Sequence, residues 1–308
     1  MKLSEQDIIK IVSKNTNFRE EVIVPIGNDA CVFYPKQESY LVATTDTMAL
    51  NTHFSEDITP YELGYISAAS NISDLSAMGS NPAFAMINLT LKKPTKLYIN
   101  ELIKGYNSVF KKHSVMVIGG DTTYGSMSIS MTLIGYKKSN NFMLISDAKK
   151  NDKIFISGAI GNSLMARKKN KYYLPEIRNE LGVILSDFAN SCTDMSDGFF
   201  KSINQISLKS NLGAKINLEN IKINNSLKKQ IDNKKIGWSD VLGYGDDYEL
   251  LFTVSNKKSI LLKKLCNSIN LEIYEVGIMT NNDKINYYLK NALKKINSIN
   301  NFEHFNRE

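Results

Sequence analysis

The sequence predicts a two-domain protein of mixed α/β (α+β) class, and three observations lead there. Its 308 residues suit two domains of ordinary size better than one. Helix-like apolar periodicity alternates with short strand-like runs in both halves. A polar stretch, Ser139-Asn140-Asn141, separates two apolar regions and divides the chain into residues 1–140 and 141–308. The hydrophobic share, 43%, is enough to fill a core in each half.

Taken in order, Ser4–Asn15 reads as a helix with Ile8, Ile9, Ile11 and Val12 on one face. Glu21–Pro25, Ala30–Pro35 and Tyr40–Thr45 read as strands. Thr59-Pro60-Tyr61-Glu62 is a capping box with proline at the first helical position, opening a helix that runs to about Met78 and stops at Gly79. A strand over Ala83–Leu91, a helix over Lys96–His113, a buried strand at Val115–Ile118 and an alternating strand at Ser128–Tyr136 complete the first half. The second half begins with a strand at Lys153–Ser157. Helices are expected at Glu176–Asn190, Gly198–Ser210 and Ser259–Ile269, and strands at Ala214–Leu218, Tyr248–Val254 and Ile273–Ile278.

Composition narrows the function. No apolar run is long enough to span a membrane, and the acids in Met1–Asp7 stand where a secretory signal needs apolar residues, so a cytoplasmic protein is expected. Cys31, Cys192 and Cys266 are scattered and odd in number, which argues against disulfides and against a cysteine-based zinc site. The net charge of +7 comes from lysines dispersed through Asn- and Ile-rich stretches such as Lys222–Lys235. That pattern reads as solvated surface and not as a nucleic-acid footprint. His53, His113 and His304 lack zinc spacing, and no P-loop, protein-kinase signature or Gly-x-Ser-x-Gly elbow is present.

What stands out is the placement of the aspartates beside Gly, Ser or Thr, several at the ends of strand-like runs: Asp29, Asp46, Asp74, Asp121, Asp194, Asp197, Asp246 and Asp247. Singly, each is a cap or a turn residue. As a set they are crowded carboxylates, which repel one another and attract a cation. Oxygen-only ligands suit magnesium bridging to phosphates, and Gly119-Gly120 before Asp121 lets backbone approach a phosphate. The residues alone therefore point to a magnesium-dependent phosphate site without naming a substrate.

The segments Gly27-Asn28-Asp29, Thr44-Thr45-Asp46, Asn51-Thr52-His53-Phe54, Ser73-Asp74-Leu75-Ser76-Ala77-Met78-Gly79, Gly119-Gly120-Asp121, Asp194-Met195-Ser196-Asp197-Gly198, Asp246-Asp247-Tyr248-Glu249-Leu250 and Phe302-Glu303-His304-Phe305 span nearly the whole chain. In this order they resemble the thiamine-monophosphate kinases. These are a branch of the superfamily that includes aminoimidazole-ribonucleotide synthetase, selenophosphate synthetase and a hydrogenase maturation factor. The resemblance implies the two-domain fold of that superfamily, with an ATP- and metal-binding N-terminal domain whose sheet joins a partner's in a dimeric barrel, and a C-terminal α/β domain. It implies ATP and thiamine monophosphate as substrates, several Mg2+ ions, a homodimer, and no nucleic acid or membrane partner. The implied metal shell is Asp29, Thr44, Thr45, Asp46, Asp74, Asp121, Asp194 and Asp197. Gly120, Asp121 and Ser196 are the implied nucleotide contacts, and His53, Asp246 and Phe302 the implied thiamine-phosphate contacts.

The implied reaction is direct in-line phosphoryl transfer. Its acceptor is already an ionised phosphate, so no general base is expected, and charge cancellation and alignment carry the rate. Three positions depart from the family pattern. Asn28 replaces the first of two aspartates, Asp246 stands where a glutamate is usual, and Ile145 occupies the place of an ATP-contacting arginine, for which Lys149 or Lys150 would have to substitute. Arg178, in a Pro-x-x-Arg pattern, has no role assigned by the resemblance. The rival readings are another ATP-using enzyme of the superfamily and a non-catalytic nucleotide-binding relative. The cysteines that two of the sister enzymes need are missing from the expected places.

Overall fold

The computed structural model describes residues 5–26 and 32–296, which fall into two compact units: residues up to 140 except Ser76–Gly79, and Ser76–Gly79 with the rest of the chain. In the first unit, α1 (Glu5–Lys14) precedes a short antiparallel pair, β1 (Val22–Val24) and β2 (Val32–Phe33). Then come β3 (Tyr40–Ala49), α2 (Pro60–Ala77), β4 (Asn81–Leu91), α3 (Lys96–Phe110), β5 (Met116–Tyr124) and β6 (Ser128–Lys137). The last four strands form one sheet in the order β3-β6-β4-β5, with only the β4–β5 pair parallel.

The local chemistry behaves as its residue types dictate. The Thr59 hydroxyl accepts from the Glu62 backbone N–H at 3.2 Å while the Glu62 carboxylate accepts from the Thr59 N–H at 2.9 Å, closing the capping box that starts α2. α2 is buried on nearly every side, so it reads as continuously apolar or small and not as a one-sided amphipathic helix. A Cβ at Gly64 would overlap the Leu102 carbonyl, and one at Gly105 the Tyr61 carbonyl, so these two glycines let α2 and α3 cross in backbone contact.

Two strands are longer than the sequence pattern predicts. β3 continues past Thr45 to Ala49, paired residue for residue with β6, and β5 continues past Ile118 through Gly119-Gly120-Asp121 to Tyr124 along β4. Asp46 and Asp121 therefore lie inside strands instead of closing them, because ladder partners distant in sequence override the local turn signal of glycine and aspartate.

The second unit is a seven-stranded sheet. Its elements are β7 (Lys153–Ile156), α4 (Asn162–Arg167), α5 (Asn179–Leu185), β8 (Ala189–Asp194), α6 (Phe199–Ser210), β9 (Gly213–Asn217), α7 (Asn225–Asp232), α8 (Trp238–Gly243), β10 (Leu250–Val254), α9 (Asn256–Ser268), β11 (Tyr274–Thr280), β12 (Ile285–Leu289) and β13 (Ala292–Lys294). The order is β13-β12-β9-β11-β7-β10-β8, antiparallel throughout except between β9 and β12. The alternation along β7 divides the core. Ile154 and Ile156 pack with Leu164, Ile203 and Val241 on one face, and Phe155 packs with Leu181, Leu185 and Leu262 on the other. Both described cysteines, Cys192 and Cys266, are buried free thiols. The helix expected over Glu176–Asn190 is a shorter α5 followed at once by β8, and the strand expected from Tyr248 begins at Leu250. Among the described residues no helix is long and apolar enough to cross a membrane.

Candidate active site

The expected site residues of the first unit are sorted by strand register. Along β3, Thr44, Asp46 and Met48 point to the more buried face of the sheet and Thr45 and Thr47 to the exposed one. α2 lies against the buried face, and Thr44 Oγ1 donates to Asp74 Oδ2 at 2.5 Å. Loss of hydration pushes the Asp74 carboxyl up to about 6. The charge of Asp46 adds to the shift, and the Thr44 hydrogen bond opposes it.

Asp121 is on the other face. It pairs with Asn88, Asn88 with Ser130 and Ser130 with Thr47, a row of four polar side chains across four strands. The adjacent row, Asp46–Met131–Ile87–Gly120, faces the opposite way. Thr45 shares the Asp121 face, where its hydroxyl meets the Met131 carbonyl and the Thr132 hydroxyl, both at 3.1 Å. Thr45 and Asp121 sit on opposite edge strands of the sheet, which lie three strand spacings or about 14 Å apart, and two residues out of register with one another.

Gly120 has a packing reason of its own. Its φ is +143°, and a Cβ there would overlap the Ile87 carbonyl, whereas the nearest atom to a Cβ at Gly119 is Met86 Cγ at 3.9 Å. Of the two, only Gly119 has room for a side chain. His53 closes a tight turn after β3, where its Nδ1 accepts from the Ala49 N–H at 3.0 Å, which leaves the ring proton on Nε2.

In the second unit, strand adjacency does the assembling. Asp194 at the end of β8 pairs with Leu250 at the start of β10, so the loops Met195–Gly198 and Gly243–Glu249 meet at one end of the sheet. The Asp246 N–H donates to the Ser196 carbonyl at 2.8 Å and the Met195 N–H to the Glu249 carbonyl at 2.8 Å. A Cβ at Gly245 would overlap the Ser196 carbonyl. Asp194, Ser196, Asp197 and Asp246 are brought together here, and Asp197 also holds Lys201 Nζ at 2.6 Å. Asp246 is exposed at the surface, yet chain atoms are dense around its carboxyl. The lost hydration and then the Asp197 charge raise it to about 6, with Arg167 acting the other way.

The neighbouring acids are structural anchors that sequence reasoning left without roles. Asp247 is buried and accepts from the Gly161 N–H (2.5 Å), the Ser163 N–H (3.0 Å) and the Ser163 hydroxyl (2.9 Å), capping α4; burial raises it to about 7. Glu249 is held by both arms of Arg178. In the sequence the pair shows only as the Pro-x-x-Arg pattern and the Glu249 of the Asp-Asp-Tyr-Glu-Leu segment, with nothing to connect them. Asp29 and Phe302 lie outside the described residues.

The donor set fits a hard divalent cation: carboxylates and hydroxyls only, with one carboxyl raised by burial and a like charge that a cation would relieve. Among the described residues no three Asp, Glu, His or Cys side chains converge on one point. A metal held here would take further ligands from water and substrate phosphate, as magnesium does.

Two family models match, AIR synthase related protein, N-terminal domain, over residues 27–136, and AIR synthase related protein, C-terminal domain, over residues 115–290. The chain is 33% identical to the thiamine-monophosphate kinase of Buchnera aphidicola subsp. Schizaphis graminum, with 99% of this chain and 100% of the relative covered. It is 31% identical to the thiamine-monophosphate kinase of Bacillus subtilis over 94% and 95% of the two chains. The crystal structure of the thiamine-monophosphate kinase from Stenotrophomonas maltophilia superposes with a TM-score of 0.82 at 27% identity, covering 94% of this chain and 98% of that one.

Proposed function

Because the chain belongs to the thiamine-monophosphate kinase family and carries both AIR-synthase-related domains, we infer that it transfers the terminal phosphoryl group of ATP to thiamine monophosphate, giving thiamine diphosphate. The observation that carries this reading is identity of 33% over essentially the full length of both chains. The Asp46–Asp74 pair, the exposed Asp121 and the Asp194–Asp197–Asp246 group support it, since they supply the oxygen ligands such a transfer needs.

The chemistry asked of the residues is mostly electrostatic. The acceptor phosphate is ionised near neutral pH, so the chain need not take its proton; it must bring two anions together and align them. We assign Thr44, Thr45, Asp46, Asp74, Asp121, Asp194 and Asp197, with Asp29, as the residues that would hold magnesium. Bound there, magnesium neutralises the phosphate charge that otherwise keeps donor and acceptor apart. Gly120, Asp121 and Ser196 are assigned to the nucleotide. His53, through its Nε2–H, and Asp246 are assigned to thiamine monophosphate, together with Phe302. Direct in-line transfer without a phosphorylated enzyme is part of the same proposal, as is a cytoplasmic location.

A homodimer belongs to this reading because of the sheet edges. Within one chain the four-stranded sheet keeps Thr45 and Asp121 on its two edge strands, which lie about 14 Å apart. A second copy pairing β5 against β3 would bring the two edges into one site and continue the sheet toward a barrel.

Turnover of ATP, magnesium and thiamine monophosphate, read as thiamine diphosphate by chromatography, tests the function, with Asp121→Ala as control. Asp121 is exposed and its described hydrogen bond is to the adjacent Thr122 N–H, so the variant is expected to fold and to lose product. Wild-type protein that binds ATP but forms no thiamine diphosphate would leave the fold standing and reject the substrate.

A further inference from the structure

The segment Gly245–Leu250 adopts a backbone that its own residues do not favour. Asp246 and Tyr248 have φ values of +64° and +53°, a region that costs a residue with a side chain on the order of 1 kcal/mol. Such a conformation persists only where the surroundings impose it. Two anchors do so. Asp247 is tied to the start of α4, as described above. Glu249, 3% exposed, receives Arg178 Nε and Nη2 on its two oxygens, both at 2.7 Å, and the Ser157 hydroxyl at 2.5 Å. Ser157 Oγ in turn accepts from the Leu250 N–H at 2.8 Å. Glu176 braces the remaining guanidinium nitrogen at 2.9 Å, and a Cβ at Gly158 would overlap both Glu249 Oε1 and Arg178 Nη2, so the pair is packed on a glycine.

A buried ion pair of this kind contributes little net stability, because desolvation of both charges offsets their attraction. What it supplies is direction: the guanidinium fork fixes the carboxylate plane in a way no lysine can. We propose that Arg178 is a positioning residue of this enzyme, clamping Glu249 so that the Gly245–Leu250 segment presents Asp246 to thiamine monophosphate. The role given to Asp246 rests on the function proposed above; the clamp itself does not.

Full-length Arg178→Lys, Arg178→Met/Glu249→Leu and Gly158→Ala test it. The double variant replaces the pair by apolar groups of similar volume and so preserves the fold if the single changes do not. Amide hydrogen exchange without substrate is read at the Asp246 and Leu250 N–H groups, and turnover gives KM and kcat. The clamp predicts roughly tenfold faster exchange at those amides, with the rest of the second unit unchanged. It predicts a KM for thiamine monophosphate raised roughly tenfold, and kcat and the KM for ATP within about twofold. Unaltered exchange and KM in folded variants would overturn the proposal. So would faster exchange spread evenly over the unit, which would make the pair merely structural. If the wild type does not turn over thiamine monophosphate, the functional reading fails while the exchange data still decide the clamp.

Discussion

Thr44 on β3 and Asp74 on α2 share a hydrogen bond of 2.5 Å on the buried face of the first sheet, with Asp46 adding a second negative charge beside them. A strand and a helix 30 positions apart in the sequence are thereby joined through a carboxyl that the fold alone makes uncomfortable when ionised.

That discomfort has a pH signature in the metal-free protein. Asp74 is raised from 3.8 to about 6 in the fold, so below pH 3.8 it is protonated in both states and contributes no difference. As pH climbs toward 6 the unfolded chain releases its proton first, and the folded state loses stability on the order of 3 kcal/mol by pH 7. Thermal denaturation in chelator should show this fall between pH 4 and 7 for the wild type and a shallower one for Asp74→Asn. Magnesium should recover stability in the wild type more at pH 7 than at pH 5. Parallel profiles for the two proteins would remove Asp74 from the account.

The paired glycines before Asp121 should respond oppositely to the same change. Gly120→Ala puts a Cβ into the Ile87 carbonyl at a φ of +143°, and a loss of at least about 3 kcal/mol is expected. Gly119→Ala meets only the end of Met86, and its melting temperature should stay near wild type. A loss of activity in that folded Gly119 variant would mark the glycine as a ligand contact. Equal stability of the two variants would contradict the backbone approach of β5 to β4.

Mixing subunits tests whether the two sheet edges serve one site. Thr45→Val and Asp121→Ala, altered on the same face of the sheet, should each lose turnover alone. After joint refolding, about a quarter of wild-type turnover should return, because half the dimers are mixed and each has one intact site of two. No recovery in a preparation shown to contain mixed dimers would place both residues in a single-chain site.

His53 divides into two halves chemically. Asn can reproduce the Nδ1 acceptor that holds the Ala49 N–H but has nothing at the Nε2 position. His53→Asn should therefore fold normally and raise the KM for thiamine monophosphate, whereas His53→Ala should also lower the melting temperature by loosening the turn. An unchanged KM in His53→Asn would release the histidine from the substrate.

The sequence by itself determined features that are local or that recur as ordered segments. The two mixed halves, the capping box at Thr59 and the run of aspartate-bearing motifs were all legible, and the motif order was enough to indicate the family. These depend on side-chain periodicity and on short-range hydrogen bonding, which neighbouring residues control. The tertiary structure decided which of those residues meet. Strand length and register are set by partners far along the chain: β6 extends β3 to Ala49, and β4 carries β5 through Asp121. Because side chains alternate along a strand, that pairing puts Asp46 beside Asp74 and turns Asp121 to the opposite face, an outcome that no inspection of the motifs can supply. In the second unit the adjacency of β8 and β10 gathers Asp194, Ser196, Asp197 and Asp246. The grip of Arg178 on Glu249, across 71 positions, depends on the same long-range arrangement.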